Sequence, residues 1–214
     1  MARTAAARAP RRTTRAESKQ RTLERVLEAA MAVFRRDGYH GASLDRVAAA
    51  AGFTKGAVYS AFDSKAELFL ELLARRAAER RDEMHAVLAK SHDSATFVEE
   101  SARRFARSVA AERDWWTAVI EFMTVVGRDD ALRERFAAQR EESRALIAQI
   151  VEAWARRQGQ KPTISARRIA TLILALNNGL TLESLLAPGE VGAQAYVEGQ
   201  LALARSLMAP ARDD

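Results

Sequence analysis

With 214 residues, 48% hydrophobic and 29% charged, the chain has the balance of a folded globular protein, with room for one domain or for a small one and a larger one. It holds no cysteine, which excludes disulfide staples, thiolate metal sites and cysteine nucleophiles together, and suits a cytoplasmic protein. Charge is unevenly placed: residues 1–21 carry seven basic side chains against Glu17 alone, a balance equal to the whole chain's net +6.

Residues 1–20, MARTAAARAPRRTTRAESKQ, have no apolar h-region, so they are not a secretory signal. Their Arg-rich, acid-poor look is shared with transit peptides, but they lead directly into the pattern described next. They read as a disordered basic arm, either raising affinity for phosphate backbones without reading sequence or merely solubilising the chain. From Thr22, the residues Leu23, Val26, Leu27, Ala30, Met31 and Phe34 fall on one helical stripe that Asp37-Gly38 ends. Ser43 is a good N-cap for a helix over Leu44–Ala51, Gly52 breaks it, and Thr54 caps a helix over Lys55–Phe62. Ser64-Lys65-Ala66-Glu67 is a capping box that opens a helix to about Lys90.

Five more helices follow, over Ala95–Ala111, Trp115–Val126, Asp129–Gln158, Ser165–Leu186 and Glu190–Met208. No strand-like alternation persists, and Pro10, Pro162, Pro188 and Pro210 sit where helices should stop. The reading is an all-α protein of about nine helices: a basic arm (1–20), a three-helix DNA-binding domain (21–66), and an effector-binding and dimerisation domain (67–210). No apolar run approaches the length of a membrane span, and no membrane partner is expected.

The stretch Ser43–Phe62 is a helix–turn–helix on physical grounds. Leu44, Val47 and Ala48 give its first helix a buried face, small Ala48 and Ala51 let the second cross closely, and Gly52 supplies the turn. Val58 and Phe62 face inward in the second helix, which leaves Thr54, Lys55, Gly56, Ala57, Tyr59 and Ser60 outward, where a recognition helix meets bases and phosphates.

Thr22–Phe69 resembles the TetR (tetracycline-repressor-like) family, whose recognition helix ends Lys-Gly-x-hydrophobic-Tyr-x-x-Phe before a Ser-Lys-x-x-Leu-Phe entry to helix four. Here these read Lys55-Gly56-Ala57-Val58-Tyr59-Ser60-Ala61-Phe62 and Ser64-Lys65-Ala66-Glu67-Leu68-Phe69. The resemblance implies that Tyr59 and Lys65 contact phosphates and that Thr54, Lys55, Gly56 and Ala57 lie nearest the bases. Ser43 and Ser60 complete the expected DNA-binding set, Ser60 standing where the family often has His. More loosely, Trp116…Glu121-Phe122 and Gly179-Leu-x-Leu…Leu-Leu-Ala-Pro188 are similar to features of the family's ligand-binding domains. The resemblance implies a dimeric repressor on a palindromic double-stranded operator, released by a small effector.

Phe105, Trp115, Trp116, Phe122, Met123, Val126 and Trp154 concentrate large apolar side chains on the middle helices. Singly each reads as packed core; as a group, with Asn177, they suggest an apolar or aromatic effector pocket. Asn177, Asn178 and Glu183 either orient a ligand or sit on a solvated side. Gly179 and Gly199, each costing roughly 1 kcal/mol inside a helix, fit close helix approach. Gly179, Leu180, Glu183, Tyr196, Gly199, Gln200 and Leu203 are the expected homodimer interface, a four-helix bundle of the last two helices of each subunit.

Two rival readings come from other classes. Asp82-x-x-His85 has the spacing of half a di-metal site, but there is no second copy and the other histidines are only His40 and His92, so no metal, cofactor or catalysis is expected. A non-specific architectural DNA binder using the arm alone would leave the large C-terminal half unexplained.

Overall fold

The computed structural model describes residues 15–91 and 93–210. The expected basic arm lies outside the described residues up to residue 14, while from Arg15 onward the chain is helical. The elements are α1 (Arg15–Gly41), α2 (Leu44–Ala51), α3 (Lys55–Tyr59), α4 (Lys65–Lys90), α5 (Ser94–Ala111), α6 (Arg113–Val126), α7 (Asp130–Arg157), β1 (Gln160–Pro162), α8 (Ala166–Leu186), α9 (Ala193–Ser206) and β2 (Met208–Pro210). The all-α fold class holds. The two strands form a three-residue antiparallel ribbon, Gln160 opposite Pro210 and Pro162 opposite Met208. Alternation cannot announce a ribbon so short, and it ends the last helix at Ser206 rather than Met208.

The caps are where the side chains say they should be. Ser43 Oγ accepts from the Arg46 N–H at 3.2 Å, Thr54 Oγ1 from Ala57 at 3.3 Å and Ser64 Oγ from Glu67 at 3.1 Å. Glu67 returns the bond to the N–H of Asp63, one residue before the expected partner, and also pairs with Arg135 on α7. The helix of α1 breaks at Gly38, whose φ of 69° suits glycine, and a Cβ there would lie 2.8 Å from a Glu121 carboxylate oxygen. That close approach belongs to α6, which lies along α1; Glu121 also accepts from the His40 N–H at 3.1 Å. The recognition helix is shorter than expected: it stops at Tyr59, and Phe62 reaches the core from the turn beyond it.

One apolar cluster binds the first three helices to α4 and α6 without interruption across residue 66, through Phe34, Phe69, Trp115 and Phe122. The rest of the protein holds three smaller clusters, around Trp154, Tyr196 and Ile169.

The expectation that no run approaches membrane length is corrected. Ala166–Leu186 reaches a mean hydropathy of 1.4 and is, by length and composition, apolar enough to cross a bilayer. Its apolar residues surround more than one face: Ile169 and Ala170 are buried in the chain, while Leu172, Leu182 and Leu186 point outward.

Candidate nucleic-acid interface and ligand cavity

On the N-terminal face, Thr54, Lys55, Gly56, Tyr59 and Ser60 are exposed and Ala57 is half-buried. A Cβ on Gly56 would meet nothing within 4 Å, so the helix backbone stands open to an approaching surface. Tyr59 is 50% exposed, a high value for an aromatic residue, while its neighbour Val58 is fully buried and anchors the helix. The set is therefore offered outward on a rigid base.

Several of these groups already have work within the chain. Ser43 is taken up by its cap, and the Ser60 hydroxyl donates to the Ala57 carbonyl at 2.8 Å. Lys55 pairs with Asp45 on α2, the bond that raises its pKa. Lys65 differs most from expectation. Its ammonium donates to the carbonyls of Tyr39, His40 and Ala42 at 2.7, 3.3 and 3.0 Å and lies 4.5 Å from the centre of the Tyr39 ring. An ammonium has three donors, so all are engaged. Burial lowers its pKa, with Glu121 opposing. Lys65 thus ties the end of α1 to the start of α4, at the position for which the family resemblance implies a phosphate contact. Arg25, which sequence reasoning missed, reaches the Ala51 carbonyl at 3.0 Å and stacks over Phe53, bracing the turn between α2 and α3.

The C-terminal domain contains a cavity of about 380 Å³, within the ~300–1,000 Å³ typical of small-molecule sites. Of the residues expected to line a pocket, Phe105, Trp154 and Asn177 do so. Trp115, Phe122 and Val126 instead fill the cluster around Phe69, Met123 packs against that cluster, and Trp116 meets Phe105 edge-on at 5.2 Å from outside the cavity. Missed were Phe97 and Ser101, two turns and one turn before Phe105 on the same face of α5, together with Ile147, Ile150 and Ile173. The i, i+4, i+8 spacing of Phe97, Ser101 and Phe105 was a readable signal.

The expected interface residues separate. Gly179 and Glu183 are exposed on α8, but Tyr196 is 1% exposed, its hydroxyl 3.2 Å from Ser184 and 3.5 Å from Thr181. Tyr196 thus turns into its own chain because its hydroxyl finds partners there. Leu180 packs beside it, Gly199 lies under Leu176 of α8, and Gln200 and Leu203 line the cavity. Gln200 donates to the Asn177 side-chain carbonyl at 2.9 Å, so the two amides of the cavity wall are paired with each other. The outward stripe of α8 is instead Leu172, Ala175, Gly179, Leu182 and Leu186. Asp82 and His85 are exposed on α4.

Residues 26–72 match the family of bacterial regulatory proteins named tetR, and residues 98–208 match the C-terminal domain of BetI-type transcriptional repressors. The HTH-type transcriptional regulator TtgW of Pseudomonas putida is 45% identical over 65 residues, 30% of this chain and about half (48%) of that one. The HTH-type transcriptional repressor BepR of Brucella suis is 28% identical over 94% of this chain and 98% of its own length. The fold is shared with the transcriptional regulator FadR of Bacillus subtilis, solved in complex with stearoyl-CoA, at a TM-score of 0.70 and 14% identity over 85% of this chain and 96% of that one.

Proposed function

The chain belongs to the tetR family of bacterial regulatory proteins and is a helix–turn–helix DNA-binding transcriptional regulator, and from that premise we propose that its C-terminal cavity holds a small, largely apolar or aromatic effector that releases it from DNA. The observation that carries this reading is the 380 Å³ cavity itself, walled by Phe97, Ile150, Trp154 and Ile173 and bearing only a few polar groups. A hollow of that size gives up packing contacts that a bound apolar ligand would restore.

In this reading the regulator is a repressor acting in the cytoplasm as a homodimer on a palindromic operator. The outward stripe Leu172–Leu186 of α8 meets its counterpart in a second copy, with Gly179 at the closest approach. Tyr59 contacts phosphate, and Thr54, Lys55, Gly56 and Ala57 lie nearest the bases, Lys55 exchanging Asp45 for the DNA.

Footprinting the purified protein on genomic fragments tests the proposal. One protected palindrome with half-sites one or more turns apart, about 34–36 Å per turn, is expected, and apolar or aromatic ligands should release it. Protection without symmetry, or release that is unchanged when Ile173→Trp fills the cavity, would sink it.

A further inference from the structure

Beside the main cavity lies a second chamber of about 150 Å³, between α4, α5 and the start of α6. Met84, Ser101 and Phe105 line both, so the two share a wall. The contents of the small chamber are unlike those of the large one. Arg80 is half-buried on its wall, with its guanidinium over the Trp116 ring, 5.7 Å from the ring centre, and makes no hydrogen bond or ion pair among the described residues.

Three carboxylates also line the chamber, and two of them are paired with other arginines. Glu112 pairs with Arg76, Glu79 pairs with Arg75 and Arg76, and Glu83 is exposed one turn further along α4. Burial therefore outweighs the pull of Glu79, Glu83 and Glu112, and with the repulsion of Arg76 it brings the Arg80 pKa down to about 10. Two more buried donors on the chamber wall find no partner in the protein, Arg76 Nε and the Ser101 hydroxyl. A half-buried guanidinium with no partner among the described residues is open to an anion, and its planar fork matches a carboxylate.

We propose that this chamber receives the carboxylate head of an amphipathic effector, held by Arg80 and Ser101, while the effector's apolar body occupies the main cavity. The proposal rests on the effector reading above and narrows its ligand class from apolar to apolar with an anionic end. It also gives the effector a handle on α4, whose first turn, through Lys65, holds the end of α1.

Calorimetric titration of the full-length protein with decanoate and with 1-decanol tests it, since the two differ in head charge and share a chain. Charge-assisted hydrogen bonds predict that decanoate binds roughly ten- to a hundredfold tighter than 1-decanol. Arg80→Gln should abolish that preference and Arg80→Lys retain part of it, which separates lost recognition from lost folding. Equal affinity for both ligands in the wild type, or a preference that survives Arg80→Gln, overturns the anion site and leaves the apolar cavity standing. Binding of neither ligand overturns the cavity reading as well.

Discussion

The two ends of the molecule are packed on opposite plans. Around the helix–turn–helix, α1 to α4 and α6 share one continuous cluster in which Val33, Phe34, Val47, Val58, Phe69 and Phe122 are completely buried. The C-terminal half divides its apolar residues among three smaller clusters and keeps a cavity beside them. A surface that must hold a fixed recognition geometry gains from a filled core, whereas a sensor needs space that a ligand can take. The difference also locates the joint. Because α6 belongs to the filled cluster and Glu121 bonds the end of α1, α6 as well as α4 joins the two halves physically.

The largest expected effect tests this contrast directly. Phe69 touches Phe34, Trp115 and Phe122 with ring centres 4.8, 5.1 and 4.6 Å away, so Phe69→Ala opens a hole in the filled cluster and should cost about 3–5 kcal/mol. Phe97 is also buried, yet one side of it faces the cavity and it has fewer contacts to lose. Phe97→Ala should cost about 2 kcal/mol. Urea unfolding of both variants measures the gap, and equal losses would erase the distinction between filled and hollow halves.

The same contrast explains what could be read from the chain alone. The N-terminal elements were legible because their signals are local: Ser43, Thr54 and Ser64 each cap the helix that follows within three residues, and Gly38 and Gly52 stop helices by their own backbone geometry. The cavity was only partly legible. Trp115 and Trp154 are alike in composition and helical setting, but one is sealed against Phe69 and the other lines the hollow. That assignment depends on the rotation of several helices about their axes, which no single helix encodes. Tyr196, expected at the homodimer interface, is turned inward by Ser184 and Thr181, partners twelve and fifteen residues earlier. Lys65 matched a phosphate-binding pattern, and the pattern could not show three carbonyls waiting 23–26 residues upstream.

Lys65 supplies the second expected effect. Lys65→Met removes three charge-assisted bonds at the α1–α4 joint and should lower stability by about 1.5–3 kcal/mol. With its donors already engaged, the slope of log affinity against log salt should stay unchanged. A slope shallower by about one unit with stability intact would return Lys65 to the phosphates and weaken the view of the N-terminal half as a tied, rigid unit. Tyr59, half-exposed at the end of α3, is the converse case. Tyr59→Ala should weaken binding about tenfold, roughly 1.4 kcal/mol, equally across related operators, while changing stability by no more than about 0.5 kcal/mol. An altered order of operator preference would move Tyr59 from positioning to reading.

The smallest expected effect concerns the corner where α1 passes to α2. Asp37 accepts hydrogen bonds from Arg36 at 2.7 Å and Arg46 at 3.0 Å, and Arg46 also reaches the Gly41 carbonyl, so the carboxylate pins the corner between α1 and α2. The bond from Arg36 is the main cause that holds its pKa at about 2, burial opposes it, and Arg46 adds to the lowering. In the unfolded chain the group titrates near ~3.9, so between about pH 4 and pH 2 the unfolded state binds more protons than the folded one. The contribution is therefore fully present above about pH 4 and is lost as pH falls through about 2. Asp37→Asn should lower Tm slightly at pH 6, and the gap to the wild type should close by about pH 2. Solvent screening keeps the effect small. Glu141, which accepts from Arg144 on its own helix and from Arg167 on α8, is lowered chiefly by Arg144 and offers the matching site in the hollow half. If the halves unfold as one unit, Glu141→Gln should shift the same single transition that Asp37→Asn shifts. Two transitions, one moved by each variant, would show that the filled and hollow halves unfold separately despite the shared α6.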